Sequence, residues 1–411
     1  MLCALAGCGR VQDGRTVLRV ADWNGPAADP AFATSDRAIR ADFERRHPGV
    51  RVEVESIPGP GQYVPKLIMT YVAGIPPDVI TLEADSAAVF IDHGLLEDLA
   101  PLIRGDSAFE LAGYFTNVVD MARRDDRLYA VPLDFTPIVI LYNKRIFDEA
   151  GVAYPRSGWT RAEFLETALA LTRGRAGGGA AARYGLTFSP EMPLWLPWIW
   201  AGGSDVLSPD GRHAAGYFNS PATVESIRFL VDLVRTRQVA PRLSATAVAG
   251  RDLFRAGEAA MTLTGHWSLI EYRADRMELG VADVPVRDSA PATVIYAAGL
   301  AISRASRQRA LAWEYLKYMT SADVQRQRVA CGLAISANIE VARSREGDGL
   351  ELQFAAAIPH ARAPWGARVG RYAMIEDLGR ELMEDLLGSD LPVEPTVSRT
   401  AELMEAVLRQ P

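Results

Sequence analysis

From residue 17 onward, short apolar runs alternate with stretches of helical period. "VLRV" (17–20) precedes a helical segment at about 35–46, which the proline and glycine of "HPGV" bring to a stop. "VRVEV" (50–54) alternates apolar and charged residues with period two, as a half-buried strand does. A helical stretch near 62–73 and a third apolar run, "PDVITL" (77–82), complete a β-α-β-α-β order. That order predicts a mostly parallel sheet with right-handed crossovers.

The alternation continues through "LYAVP" (128–132) and "IVILYNK" (138–144) to the helix of "WTRAEFLETALALTR" (159–173). Thr160 and Glu163 open that helix as a capping box, each side chain satisfying an orphan backbone N–H. Ser220-Pro221 starts another helix, with Val224, Ile227, Val231 and Val234 on one face. Strand signals return in "AAMTLTG" (259–265), "LGVADVPV" (279–286) and "GLAIS" (299–303), followed by a helix from about Ser306 to Met319. From about residue 350 the chain reads as helical around the bend "IPHARAPWG", and "GRAGGGAAAR" (174–183) reads as a surface loop. No internal repeat and no long linker interrupts the pattern.

At 411 residues the chain has room for two or three domains. With 49% hydrophobic residues, 23% charged and no apolar run of 18, it reads as a globular protein that does not span a membrane. A net charge of -7 and a pI near 5.5 speak against a nucleic-acid partner, which needs a basic face. Two of the three cysteines stand in the opening "MLCALAGCGR", and Leu5-Ala6-Gly7-Cys8 is the pattern a lipoprotein signal peptidase cuts before, once the sulfur carries lipid. Cys8 is thus expected to be a lipid anchor, the bland alternative being a short apolar terminus without function. Only seven residues precede it and none is basic, so the printed start is expected to be truncated. Cys331 alone remains in the mature chain, which leaves no intrachain disulfide.

Catalytic signatures are missing: there is no G-x-S-x-G, Walker A loop, G-x-G-x-x-G, H-E-x-x-H or C-x-x-C. The five histidines (47, 93, 213, 266 and 360) lack ligand spacing, so no metal and no cofactor is expected. Glu83 and Asp85 follow the strand "VITL" at the carboxyl end, where open α/β sheets bind ligands. They could be catalytic, accept hydrogen bonds from hydroxyls, or cap the next helix. Trp195, Trp198 and Trp200 cluster in "LWLPWIWAGG", and other tryptophans stand beside small or polar residues in "DWNG", "GHW" and "APWG". Each could be core, yet a flat apolar face with a polar N–H edge also suits a sugar ring.

These segments together resemble the family 1 extracellular solute-binding proteins of ABC importers, a group that includes maltose- and other sugar-binding proteins. The resemblance rests on "FERRHPGVRVEV", "GIPPDVITLEAD", "LYAVPLDFTPIVILYNKRIFDEAGV", "WTRAEFLETALALT", "FNSPATVESIRFLVDLV", "FRAGEAAMTLTGHW" and "AGLAISRASRQRALAWEYLKYM", in the family's order. It implies an α/β, two-lobe periplasmic-binding-protein fold of type II, with the ligand in a cleft between the lobes. Residues 1–15 would be signal remnant and tether, 16–133 plus 286–325 the amino-terminal lobe, and 134–285 plus 326–411 the carboxy-terminal lobe.

Carried over by position, the contacts it implies are Asn24, Glu83, Asp85 and Asp134, then Trp198, Trp200, Trp267 and Trp365, with Arg362 as a donor beside the ring. Asp134 stands where relatives often have small or aromatic residues, and Glu83 where they often have aspartate. The implied function is capture of a carbohydrate for an ABC permease, by a monomer held outside the cytoplasm through its lipid. A phosphorylated polyol such as a glycerophosphodiester is the alternative ligand. A glycoside hydrolase, with two such acids around a scissile bond, is the alternative from another class.

Overall fold

A computed structural model describes residues 14–410 apart from 24–29, 58–59, 174–182, 243–251, 288–289, 333 and 346. The opening alternation folds as its pattern dictates. Strands Thr16–Asp22, Val50–Ser56 and Val79–Glu83 pair in parallel, with helices Pro30–Arg46 and Pro60–Val72 between them. Three more strands extend this sheet, in the order Ile335–Ser336, Val131–Pro137, Thr293–Ile302, Val79–Glu83, Thr16–Asp22, Val50–Ser56. Thr293–Ile302 is antiparallel to both its neighbours in that sheet, so the sheet is mixed.

A second sheet follows directly. Only Ile138 separates Val131–Pro137 from Val139–Asn143, which sits between Leu279–Ala282 and Ala259–Thr264, with Tyr184–Thr187 at the far edge. Each sheet has its own apolar core. Leu18, Phe43, Ile80, Phe90, Leu300 and Leu316 belong to the first, and Phe147, Phe164, Trp198, Ile227, Met261 and Leu386 to the second. The molecule is therefore an α/β protein of two lobes. Helix Arg161–Leu171 opens with the expected capping box, and Ser220 caps Pro221–Arg235.

Three stretches of chain cross between the lobes and are hydrogen-bonded to one another. The Ile138 N–H donates to the carbonyl of Val294 at 3.0 Å, the Thr293 hydroxyl donates to the carbonyl of Ile138, and Ala361–Arg362 pairs in parallel with Thr293–Val294. The third crossing lies later than the sequence suggests. Ile335–Ser336 pairs with Phe135 and Asp134 in the first sheet, while Phe354 and Ile358 lie in the first core. Residues 326–358 are thus built mainly into the first lobe, and the chain joins the second only from about 361. Among the described residues, no helix is long and apolar enough to cross a membrane.

Candidate functional site

The crossing strands form the floor of the space between the lobes. Ala298 is opposite Glu83 on one side and Asp134 on the other, and Asp134 in turn is opposite Ser336. Residues directly opposite in antiparallel strands share a face, so Glu83, Ala298, Asp134 and Ser336 form one row. Tyr296 and Thr136, a further opposed pair, lie two residues along on the same face. Asp22, at the end of the neighbouring parallel strand, is 3.5 Å from the Thr81 hydroxyl.

Acidity dominates this floor. Burial pushes the Glu83 carboxyl well above the usual range, and the negative charges of Asp85, Asp134 and Asp22 push it further. Asp85 is raised to about 6, chiefly by burial. Asp134 is also raised by burial, but less freely, because Arg328 opposes it from 3.4 Å. Arg328 is shared with Asp36 at 3.3 Å and lies over the Phe32 ring, so its charge is already committed.

In the second lobe, Tyr372 and Glu376 stand one turn apart on helix Tyr372–Gly388. Glu376 is raised well above its ordinary value by burial, then by the charges of Asp85, Asp377 and Glu191. The Tyr296 hydroxyl is raised by burial and then by the charges of Glu376, Asp85, Tyr372 and Glu83. Trp23 Nε1, the hydroxyls of Tyr296 and Tyr372, and Glu376 Oε1 are all buried without a hydrogen-bond partner. Buried polar atoms are rarely left so, because each costs about 1–3 kcal/mol. Beside Tyr296, Trp267 is 39% exposed, its ring edge-on to the Tyr296 ring with 6.2 Å between ring centres. Gly265 makes this possible, since a Cβ there would stand 2.3 Å from the Trp267 ring.

The candidate residues divide accordingly. Glu83, Asp85, Asp134 and Trp267 come together around the cleft. Trp198 is 1% exposed, with Phe164 and Phe229 against its ring, and presents no face to the cleft. Trp200 and Trp365 are 3% and 4% exposed and lie in the second core. Their indole N–H groups both donate to Asp205 Oδ1, at 2.9 and 2.8 Å, and so are spent within the protein. Arg368 lies over the Trp365 ring and Arg362 over the Trp200 ring, at 4.4 and 5.5 Å from the ring centres, with Arg362 exposed at the border. Asn24 and Cys8 lie outside the described residues.

Trp23, Tyr296, Tyr372 and Glu376 were not among the expected contacts. "DWNG" was a usable signal for Trp23, but nothing local marks the other three. The segment after Trp365 closes one side of the cleft: a Cβ on Gly366 would stand 1.7 Å from the Asp85 carbonyl oxygen, and Arg124 of the first lobe donates to the carbonyl of Ala367. On the outer side, His266 Nε2 meets Glu351 at 2.8 Å, and Arg273 meets the same carboxylate at 3.0 Å. Among the described residues no cluster of three or more His, Cys, Asp or Glu is arranged to hold a metal.

Solved structures share this architecture. The ABC substrate-binding protein Lmo0181 of Listeria monocytogenes, in complex with cycloalternan, superimposes with a TM-score of 0.83 at 22% identity, covering 96% of this chain and 99% of that one. UgpB of Mycobacterium tuberculosis, in complex with glycerophosphocholine, gives 0.81 at 18% identity over 96% and 99%. The GacH receptor of Streptomyces glaucescens, solved unliganded and with acarbose, gives 0.80 at 22% over 96% and 98%. At these identities the likeness is one of fold. The sequence itself matches the family described as bacterial extracellular solute-binding protein over residues 27–326, most of its length. The chain belongs to the bacterial extracellular solute-binding protein family.

Proposed function

We propose that this protein is the extracytoplasmic solute-binding subunit of an ABC importer and captures a mono- or oligosaccharide between its lobes for delivery to the permease. One observation carries the reading: the exposed Trp267 ring stands edge-on to Tyr296, whose buried hydroxyl, like Trp23 Nε1, the Tyr372 hydroxyl and Glu376 Oε1, lacks a partner. A pyranose offers an apolar face to the ring and hydroxyls, each donor and acceptor, to those atoms. Neighbours solved with cycloalternan and acarbose support a sugar. The chain acts in this reading as a monomer that binds without cleaving, reaches the membrane surface only through lipid on Cys8, and needs no cofactor.

The glycerophosphodiester reading has a structural neighbour in its favour. The floor weighs against it, because Glu83, Asp85 and Asp134 offer a phosphate no cation and Arg328 is already paired. A thermal-shift screen over mono- and oligosaccharides and glycerophosphodiesters tests both. A ligand at 100 times its dissociation constant adds about 2.7 kcal/mol to stability. Stabilisation by a saccharide, recovered intact on chromatography, supports the proposal; stabilisation by the phosphodiesters alone overturns it.

A further inference from the structure

We infer that Glu351 is a positioning residue for saccharide capture: acting through His266, it fixes the turn that presents the Trp267 ring to the cleft. The inference rests on the carbohydrate reading above and deepens it, because Trp267 is the platform of that reading. Trp267 stands in the single turn His266–Ser268, just after strand Ala259–Thr264 of the second sheet. An exposed ring gives its full affinity only when its place is set before the sugar arrives, since ordering it on binding costs conformational entropy. Whatever fixes this turn is therefore part of the binding machinery.

Two groups from distant parts of the chain hold the turn, both through His266. The backbone N–H of His266 donates to the Thr136 hydroxyl at 2.7 Å, and Thr136 stands opposite Tyr296, whose ring meets Trp267. The His266 Nε2 lies 2.8 Å from Glu351 Oε2, and its ring is edge-on to Phe354 with 4.9 Å between ring centres. Glu351 and Phe354 share helix Gly349–Ala357, and Phe354 belongs to the first core. On the same helix, Gln353 Oε1 accepts from the N–H of Val281, in the edge strand of the second sheet. A helix rooted in the first lobe thus sets where the Trp267 turn stands.

Burial makes the contact between His266 and Glu351 decisive. Both residues are buried, so water does not readily replace either partner. The His266 Nδ1 already lacks a partner. A neutral ring protonated on Nε2 tolerates this best, because only an acceptor goes unmet, and the tautomer is assigned on that ground. Nε2–H then donates to Glu351, which is itself held by Arg273 at 3.0 Å and Arg345 at 3.5 Å. A buried N–H deprived of its acceptor is costly, and the ring escapes that cost by turning out to water. Trp267, the next residue, moves with it.

Fluorine NMR reads the ring's position without any ligand. The protein is labelled with 5-fluorotryptophan at its eight tryptophans, and the Trp267 resonance is identified by its loss in Trp267→Phe. Glu351→Leu removes the acceptor, and His266→Phe keeps a ring against Phe354 but cannot bond to Glu351. In whichever of the two folds, as the other seven resonances show, the Trp267 signal should shift or broaden. Glu351→Gln, whose amide oxygen still accepts, should restore it. A Trp267 resonance unmoved by both replacements would overturn the inference. Calorimetry adds the functional arm, with glucose, maltose, maltotriose and cellobiose as first probes, followed by any saccharide that stabilises the wild type. Glu351→Leu should weaken binding at least about tenfold, yet cost nothing further in a Trp267→Ala background, because the two residues act as one. An equal loss in that background would assign Glu351 a purely structural role and overturn the inference. Binding of no saccharide to the wild type would overturn the carbohydrate reading instead, and the fluorine spectra would still decide whether Glu351 places the ring.

Discussion

Glu83 and Asp134 stand opposite the same residue, Ala298, from its two sides. Their backbones are therefore two strand spacings apart, about 10 Å, with only a methyl group between the side chains. Three strands from distant parts of the chain meet in this arrangement, and it sets the width of the floor on which a ligand would rest.

Trp267 and Trp365, alike in their glycine-flanked settings, should respond differently to truncation. Trp267→Ala should weaken saccharide binding by roughly 30- to 150-fold, from about 2–3 kcal/mol of lost ring contact, with little change in ligand-free melting. Trp365→Ala removes a core ring whose N–H is bonded to Asp205, and should cost about 3–5 kcal/mol of stability. Calorimetric affinity and ligand-free melting of both variants check this. A strongly destabilised Trp267→Ala with unchanged affinity would move the platform elsewhere.

Gly366→Ala places a methyl group against the Asp85 carbonyl, where the two lobes meet. Parting the lobes relieves such a clash more easily than compressing backbone does. The variant should show a larger radius of gyration by small-angle scattering than wild type, and lower saccharide affinity. The wild-type protein should contract on binding, since a ligand that bridges both lobes favours the closed state. Wild-type values from the variant would mean that the segment 364–367 yields locally.

Two carboxyls should give stability opposite dependences on pH. Asp85 titrates near 6 in the folded chain and near its ordinary value, 3.8, in the unfolded one. Between those values the folded state holds more proton, so ligand-free stability should fall as pH rises from about 4 to about 6. Asp85→Asn should flatten that decline. Glu351 is the converse case: burial would raise it, but His266 and Arg273 overcompensate and hold it at about 2. Its contribution is present above about 4.5 and is lost as pH falls towards 2, and Glu351→Gln should remove this acid-side loss. Melting temperatures of the three proteins across pH 2.5–7.5 test both signs.

Cys8, if it is lipidated, should carry the full-length protein into the detergent phase with membranes, and Cys8→Ser should release it or leave it unprocessed. Soluble wild-type protein that retains residues 1–7 would rule the anchor out.

Much of the secondary structure in both lobes was legible from local pattern. Period-two alternation marks Val50–Ser56, and the Thr160–Glu163 box marks its helix start, because both signals arise within a few residues. The row of Glu83, Ala298 and Asp134 was not legible, since register between strands over 200 residues apart depends on tertiary pairing. The tryptophans of "LWLPWIWAGG" misled for a definable reason. Helix Met192–Trp200 is apolar on all sides, and seven of its nine residues are buried, as expected for a helix inside a core. Tyr372 and Glu376 looked like ordinary helix positions, and only the fold buries the Tyr372 hydroxyl and Glu376 Oε1 without partners.

Ile138 alone separates a strand of one sheet from a strand of the other, and it is bonded to the second crossing at Val294 and Thr293, which in turn pair with the third at Ala361–Arg362. So short and braced a joint permits rotation but little sliding. Solutes of different length would then be accommodated at the rim, where the lobes diverge most, while the innermost ring meets nearly the same surroundings each time. Selectivity should accordingly be strict for one terminal unit and lenient for what extends beyond it.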